Sequence, residues 1–408
     1  MRSVVVVGAS LAGFHGAQAL RKAGFDGEVT LIGAEPHRAY DRPPLSKEFL
    51  AGRRDEDVLR LSGVDDDDGL GLTWRLGVEA TGLDLAGRRV RLADGESLPF
   101  DGLLVATGGT PRRLPGVDPA LGGVHVLRTL DDARALRAEL DGAPGRVVVV
   151  GAGFIGAEVA ATCRERGLDV TLLEALPVPL AQAVGPRMGA VLADVQRDHG
   201  VDVRLGVGVE ALEGEGRVER VRLSDGSTIS ADVVVVGIGV RPATEWLEDS
   251  GLVVDNGIVC DATGLAAPGV VAAGDVARWP NGAFGGELMR VEHWDNAIEM
   301  GTYAARRLLA GEAGGVAAGA APYAPVPWFW SDQYDRKIQL AGRVRPDDQV
   351  EVIDGTVEER RFAAIYGREG RLVGVFGMNR PRQVMVFRNL VASGATWREA
   401  LERAAVNG

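Results

Sequence analysis

The sequence predicts an α/β protein: two doubly wound dinucleotide-binding domains and a small α+β C-terminal domain. Three observations predict it. A strand, a glycine turn, a helix, a second strand and a terminal acid follow one another over residues 4–35. The same series recurs over residues 147–174. Near residue 320 the composition shifts to clustered aromatics and short strand patterns.

Val4-Val5-Val6-Val7 is a continuous apolar run, the pattern of a strand buried on both faces of a parallel sheet. The turn Gly8-Ala9-Ser10-Leu11-Ala12-Gly13 follows, then a helical pattern from Phe14 to Ala23 and a strand, Val29-Thr30-Leu31-Ile32, that ends just before Glu35. Gly8 permits the sharp exit from the strand, and Gly13 lets the helix pack close to the sheet. The helix start, with Ser10 and Ala12 beside it, offers free N–H groups and a positive dipole end to a pyrophosphate. Glu35 is placed to accept from ribose hydroxyls. The middle glycine of the usual fingerprint is Ser10 here, still small enough for close phosphate approach.

In the second copy, Val147-Val148-Val149-Val150 runs into Gly151-Ala152-Gly153-Phe154-Ile155-Gly156, with all three glycines present. A helix continues to about Arg166, and Val170-Thr171-Leu172-Leu173 ends at Glu174. One such turn is a weak signal; two, each with strands, helix and acid, are strong. Two nucleotide sites on one chain suggest a bound redox cofactor and a diffusible one that feeds it.

The 408 residues are 46% hydrophobic and 25% charged, which suits an ordinary globular protein of two or three domains. No apolar run approaches the roughly 20 residues needed to span a bilayer. The N-terminus leads straight into a strand, so no signal peptide is expected. Cys163 and Cys260 lie far apart, which suggests neither a metal site nor a redox disulfide; a reducing cytoplasm is expected, with Cys163 a small buried hydrophobe. A net charge of −12 argues against nucleic acid or an anionic membrane as main partner. Nothing in the sequence specifies an oligomeric state.

Between the two copies, Tyr40-Asp41-Arg42-Pro43-Pro44-Leu45-Ser46-Lys47 is a proline-stiffened loop whose Arg42 and Lys47 can meet a phosphate or the electron-rich part of a flavin. The Asp65 to Asp68 run reads as a solvated loop. Short strands are expected around 88–92 and 101–105, the latter ending in Ala106-Thr107-Gly108-Gly109, where small residues let two nucleotide sites approach one backbone. Pro111 and Pro115 mark a crossing between domains. Past Glu174 a helix is expected over 187–199, with strands near Val201, Val218 and 233–236. Gly237-Ile238-Gly239 and Arg241-Pro242 then read as the crossing back. The strand 270–273 ends at Gly274-Asp275, where Asp275 suits a hydrogen bond to a polyol chain such as ribityl. A Gly/Ala-rich linker over 311–322 precedes Pro327-Trp328-Phe329-Trp330-Ser331-Asp332, strands over 338–340, 362–365 and 372–376, and a helix from Pro381.

These motifs together resemble the FAD-dependent ferredoxin reductases over essentially the full length. The carriers are the first glycine turn, Arg42 to Lys47, Ala106 to Gly109, Gly151 to Glu158, Ala273-Gly274-Asp275 and Pro327 to Tyr334. The resemblance implies two Rossmann-like domains arranged as in glutathione reductase. It implies an FAD domain of residues 1–112 and 241–319, an NAD domain of residues 113–240, and a C-terminal domain, 320–408, lying over the flavin. Lys47 and Glu158 are implied as a catalytic pair beside the flavin. Arg128 matches a flavin-contacting arginine, Trp294 a position beside the isoalloxazine, and Ala80 belongs to the FAD set. The cofactor implied is non-covalent FAD, with NADH as diffusible substrate.

Related disulfide reductases carry cysteines after the first ribose acid. This chain has Ser46 there and none, so thiol turnover is not expected. The reading is therefore an NADH:ferredoxin oxidoreductase whose ferredoxin feeds a cytochrome P450 or Rieske dioxygenase. The alternatives are a rubredoxin or monodehydroascorbate reductase, or a NADH-responsive flavoprotein like apoptosis-inducing factor. An acidic ferredoxin needs a positive landing site. Residues 321–408 hold 13 Lys/Arg against 11 Asp/Glu in an otherwise acidic chain. Arg336, Lys337, Arg343 and Arg345, with Arg290, Arg306 and Arg307 near Trp294, are expected to rim the docking site, and Trp328 or Trp330 to anchor it.

Overall fold

The structure is a computed structural model that describes residues 1–61, 69–311 and 321–407. The Asp65 to Asp68 run and most of the Gly/Ala-rich linker lie outside the described residues. The chain forms two compact units. One comprises Met1–Asp41, Leu59–Thr110 and Arg241–Trp328, the other Arg42–Val58, Pro111–Val240 and Phe329–Gly408.

The first unit is built on a six-stranded sheet in the order Leu265–Ala267, Val270–Ala272, Gly102–Val105, Ser3–Val7, Glu28–Gly33, Leu72–Leu76. All pairs are parallel except the first. Residues 4–7 sit between 29–32 and 102–105, which explains their unbroken apolar run: all four valines are buried. Helix Leu11–Lys22 begins earlier than the periodicity suggests, directly out of the turn. It packs tightly against helix Trp294–Leu309, since a Cβ on Gly301 would come within 2.3 Å of the Ala12 carbonyl oxygen.

The second unit holds a five-stranded parallel sheet, Asp202–Leu205, Asp169–Glu174, Arg146–Val150, Val233–Val236, Val124–His125. It also holds a C-terminal sheet in the order Trp328–Gln333, Arg336–Gly342, Arg371–Met378, Arg361–Arg368, Gln349–Thr356, with helices Pro381–Ala392 and Trp397–Asn407 after it. Helix Leu130–Asp141 escaped the periodicity reading. Its start is nonetheless written in the sequence as a capping box, Thr129 accepting from the Asp132 N–H and Asp132 from that of Thr129.

The helix expected over 187–199 spans Ala181–Asp198. Pro186 hides its beginning, because the chain passes through a kink at Gly185 (φ 77°, ψ 160°) before continuing. The Tyr366 hydroxyl donates to the Val184 carbonyl at 2.7 Å, just before the kink. Val184, Met188, Leu192 and Val195 of this helix share one core with Ile338, Phe362, Tyr366 and Phe376 of the C-terminal sheet. Among the described residues no helix is long and apolar enough to cross a membrane.

Candidate functional site

Each glycine turn has the shape its chemistry requires. Gly8 and Gly151 have φ of +113° and +100°, and a Cβ on either would lie 2.1 Å from Ala106 O or 2.4 Å from Gly237 O. Gly13 and Gly156 sit under the first turn of their helices, where a Cβ would come within 1.8 and 2.0 Å of the carbonyl oxygens of Gly8 and Gly151. The middle position is different. A Cβ on Gly153 would meet nothing of the protein nearer than 3.9 Å, so the serine at the matching place, Ser10, is sterically admissible. Neither helix carries an acid in its first turn, so no side chain of that turn competes for the positive dipole end. These cradles fit the diphosphate of a dinucleotide.

Both terminal acids are held. Glu35 is half-buried and accepts a short hydrogen bond from the Tyr40 hydroxyl. Glu174 accepts from the Ala152 N–H at 3.0 Å and the Leu176 N–H at 2.9 Å, so its carboxylate is fixed beside the second turn. Each Glu174 oxygen can accept a second hydrogen bond, as from a ribose hydroxyl.

Within the first unit, Ala106 is buried. Thr107 donates its hydroxyl to the Ala243 carbonyl at 2.8 Å, and Gly108 O takes the Ala243 N–H. Asp275 lies in the short helix Gly274–Val276, and a Cβ on Gly274 would be 3.0 Å from that of Ala12. The structure thus brings the Asp275 loop to the first glycine turn. Trp294 opens its helix and donates to Asp41 Oδ1 at 2.9 Å. Ala80 opens strand Ala80–Asp84, opposite Leu92, in a separate small antiparallel sheet.

Within the second unit, Arg42 donates to the Arg128 carbonyl at 2.7 Å, joining two positions far apart in sequence. Ile155 is exposed at the second turn, Phe154 packs edge-on against Phe329 at 4.4 Å, and Gly239 accepts from the Arg112 N–H.

The polar centre of this unit is Glu158, on helix Phe154–Glu165 and 3% exposed. Lys47 Nζ lies 2.8 Å from its Oε2, and the Ser46 hydroxyl donates to the same oxygen at 2.5 Å. The Ser331 hydroxyl donates to Oε1 at 2.7 Å. The family resemblance implies the Lys47–Glu158 pair and gives Ser331 no role. Its available signal was strand alternation: Ser331 and Gln333 are buried, whereas Trp330 and Asp332 between and beside them are half-buried. The cysteines take no part: burial pushes both the Cys163 and the Cys260 thiol up to about 12.

The expected cationic rim needs correction at two positions. Arg307 is buried, donating to Thr263 Oγ1 at 2.9 Å and to the Gly311 carbonyl. Arg290 is largely buried, 2.5 Å from Glu292 and donating to the Asp275 carbonyl. Both guanidiniums serve as internal donors for loop carbonyls, which residue counting cannot distinguish from a surface charge. Arg306, Lys337 and Arg345 are exposed, and Trp328 and Trp330 half-buried. Lys337 pairs with Asp332 at 2.7 Å and Arg336 with Asp335 at 3.0 Å.

Residues 2–301 match the pyridine nucleotide-disulphide oxidoreductase family, and residues 328–405 match the reductase C-terminal family. The chain is 39% identical to rhodocoxin reductase of Rhodococcus erythropolis, across 96% of this chain and 90% of that one. It is 39% identical to the ferredoxin–NAD(+) reductase component of the p-cumate 2,3-dioxygenase system of Pseudomonas putida, across 83% and 81%. Its structure is similar to the crystal structure of the covalent putidaredoxin reductase–putidaredoxin complex, with a TM-score of 0.89, 33% identity and coverage of 96% and 93%. The chain belongs to the pyridine nucleotide-disulphide oxidoreductases and, within them, to the ferredoxin reductases.

Proposed function

We propose that this protein oxidises NADH and passes the electrons through non-covalently bound FAD to an acidic ferredoxin that serves an oxygenase, such as a cytochrome P450 or a Rieske dioxygenase. The observation that carries the reading is the use of Ser46. Where thiol-dependent relatives place cysteine, this chain spends a hydroxyl on holding Glu158, and its two cysteines are buried and protonated. Electrons therefore leave without a thiol relay. When bound, FAD supplies the step from two-electron hydride acceptance to one-electron release.

In this reading residues 1–112 and 241–319 form the FAD domain, 113–240 the NAD domain and 320–408 the C-terminal domain. Gly8, Ser10, Ala12 and Gly13 take the FAD diphosphate and Glu35 its ribose, with Arg42, Ala80, Ala106, Thr107, Gly108, Arg128, Asp275 and Trp294 completing the set. Gly151, Gly153, Phe154, Ile155, Gly156, Glu174, Gly237 and Gly239 take the nicotinamide nucleotide. Lys47 and Glu158 orient the nicotinamide and tune the flavin; neither acts as a proton-abstracting base. Glu174 favours NADH, because its carboxylate repels a 2′-phosphate and Ala175-Leu176-Pro177-Val178-Pro179 offers no cation to bind one. The ferredoxin docks over Trp328 and Trp330 with Arg336 and Lys337 at the rim, and the protein works in the cytoplasm.

The test is a visible spectrum of the purified protein, followed by NADH-driven reduction of a panel of ferredoxins at low and moderate salt. A flavin spectrum and ferredoxin turnover that salt suppresses, with NADH reduction of the flavin little changed, are expected. Protein that cannot be loaded with FAD refutes the reading.

A further inference from the structure

Glu158 is the most enclosed carboxylate of the proposed site, and a buried carboxylate needs donors on both oxygens. Oε2 has two, Ser46 and Lys47; Oε1 has Ser331. Ser331 is 0% exposed, and behind it lies a chain of buried amides. Gln333 Nε2 donates to Ser331 Oγ at 3.1 Å. Gln196 Nε2 donates to Gln333 Oε1 at 2.9 Å, and the Tyr334 hydroxyl donates to Gln196 Oε1 at 2.9 Å. Gln196 and Gln333 are each 1% exposed.

The direction of this chain is determined by its ends. An ionised carboxylate only accepts, so Ser331 spends its one proton on Glu158 and presents lone pairs to Gln333. That fixes Gln333 with its carbonyl toward Gln196, and Gln196 with its carbonyl toward Tyr334. Burial pushes the Tyr334 phenol up, so it remains a donor, and His199 stacks on its ring at 3.7 Å and 4°. Gln196 is held in addition by the Ala157 carbonyl at 3.3 Å, one residue from Glu158. From Tyr334 through Gln196, Gln333 and Ser331 each link donates toward the carboxylate, and each bond polarises the next in the same sense.

We propose that Ser331, backed by Gln333, Gln196 and Tyr334, is a positioning residue that holds the Glu158 carboxylate, and through it Lys47, in the geometry the hydride step uses. The strand that presents Trp330 on one face thereby braces the Lys47–Glu158 pair with the other. This rests on the role proposed above for that pair.

The chain contains three lysines, Lys22, Lys47 and Lys337, which makes Lys47 individually readable. The experiment acetylates FAD-loaded wild type, Ser331→Ala and Ser331→Thr with trace acetic anhydride and quantifies each lysine by mass spectrometry. Stopped flow then gives the limiting rate and NADH Kd of flavin reduction. Ser331→Ala is expected to raise Lys47 labelling several-fold while Lys22 and Lys337 stay constant. It should slow the limiting rate about ten-fold, the scale of one hydrogen bond to a charged group, with the NADH Kd unchanged. Ser331→Thr restores both. Gln196→Met, nearly isosteric, moves both in the same direction by less. Labelling and rate at wild-type values in Ser331→Ala overturn the proposal, as does altered labelling with an unaltered rate. If NADH fails to reduce the wild-type flavin while Ser331 still governs Lys47 labelling, the proposed function fails and the bracing of the pair stands.

Discussion

Replacing Lys47 by Met removes the cation from a carboxylate that is 3% exposed, while keeping the side-chain volume. At 2.8 Å and an effective dielectric of about 20, the gross attraction is roughly 6 kcal/mol. Part of that only offsets the desolvation of both groups. Removing one partner of a buried pair costs about 3–5 kcal/mol, because the other charge is left uncompensated. Ser46 and Ser331 still donate to Glu158 in the variant, so the lower end, about 3 kcal/mol, is expected. For a unit of this size that lowers the apparent melting temperature by about 6–12 °C. The assay is calorimetry of Lys47→Met, Glu158→Gln and the double variant, with stopped-flow flavin reduction on the same samples. The double variant should recover most of the loss, since neither partner then lacks its complement. Reduction should slow more than FAD retention weakens. A Lys47→Met protein that melts within about 1 °C of wild type, or a double variant whose loss equals the sum of the singles, refutes the account of an interdependent buried pair.

Three further outcomes are expected. The kcat/KM for NADH should exceed that for NADPH by at least about five-fold, on the scale of a lost charge-assisted hydrogen bond, and Glu174→Ala should narrow the gap; equal values for the wild type exclude the role given to Glu174. Reversing Arg336 and Lys337 to Glu should raise the apparent KM for an acidic ferredoxin at low salt and leave that for NADH unchanged. Unaltered ferredoxin kinetics would place docking elsewhere. With thiols pushed up to about 12, only about one in ten thousand is ionised at pH 8, so iodoacetamide should label Cys163 and Cys260 only after unfolding and leave NADH-driven turnover intact. Rapid labelling of the folded protein would contradict their burial.

Both nucleotide folds were legible because their determinants are local. An all-valine strand, a glycine whose φ is positive, a glycine under a helix and an acid at the next strand end all fall within about thirty residues, at spacings fixed by backbone geometry. The kinked start of helix Ala181–Asp198 was illegible for the opposite reason: Gly185-Pro186 reads locally as a stop, and the Tyr366 hydroxyl that bonds the Val184 carbonyl lies 182 positions away.

The sequence by itself determined the α/β class, the two glycine turns, the acids Glu35 and Glu174 that follow their second strands, and a segment after Glu35 with Ser46 and no cysteine. Each is a property of a short segment. Only the tertiary structure decided that the Glu158 carboxylate, beside Lys47, is also gripped by Ser46 and by Ser331 of a second segment, and that Arg290 and Arg307 are internal donors rather than surface cations. A side chain's charge and hydrogen-bonding capacity are written in its type. Which partner satisfies them depends on packing: Glu158 meets Ser46 across 112 positions and Ser331 across 173, and Arg307 meets Thr263 across 44, which no local pattern encodes.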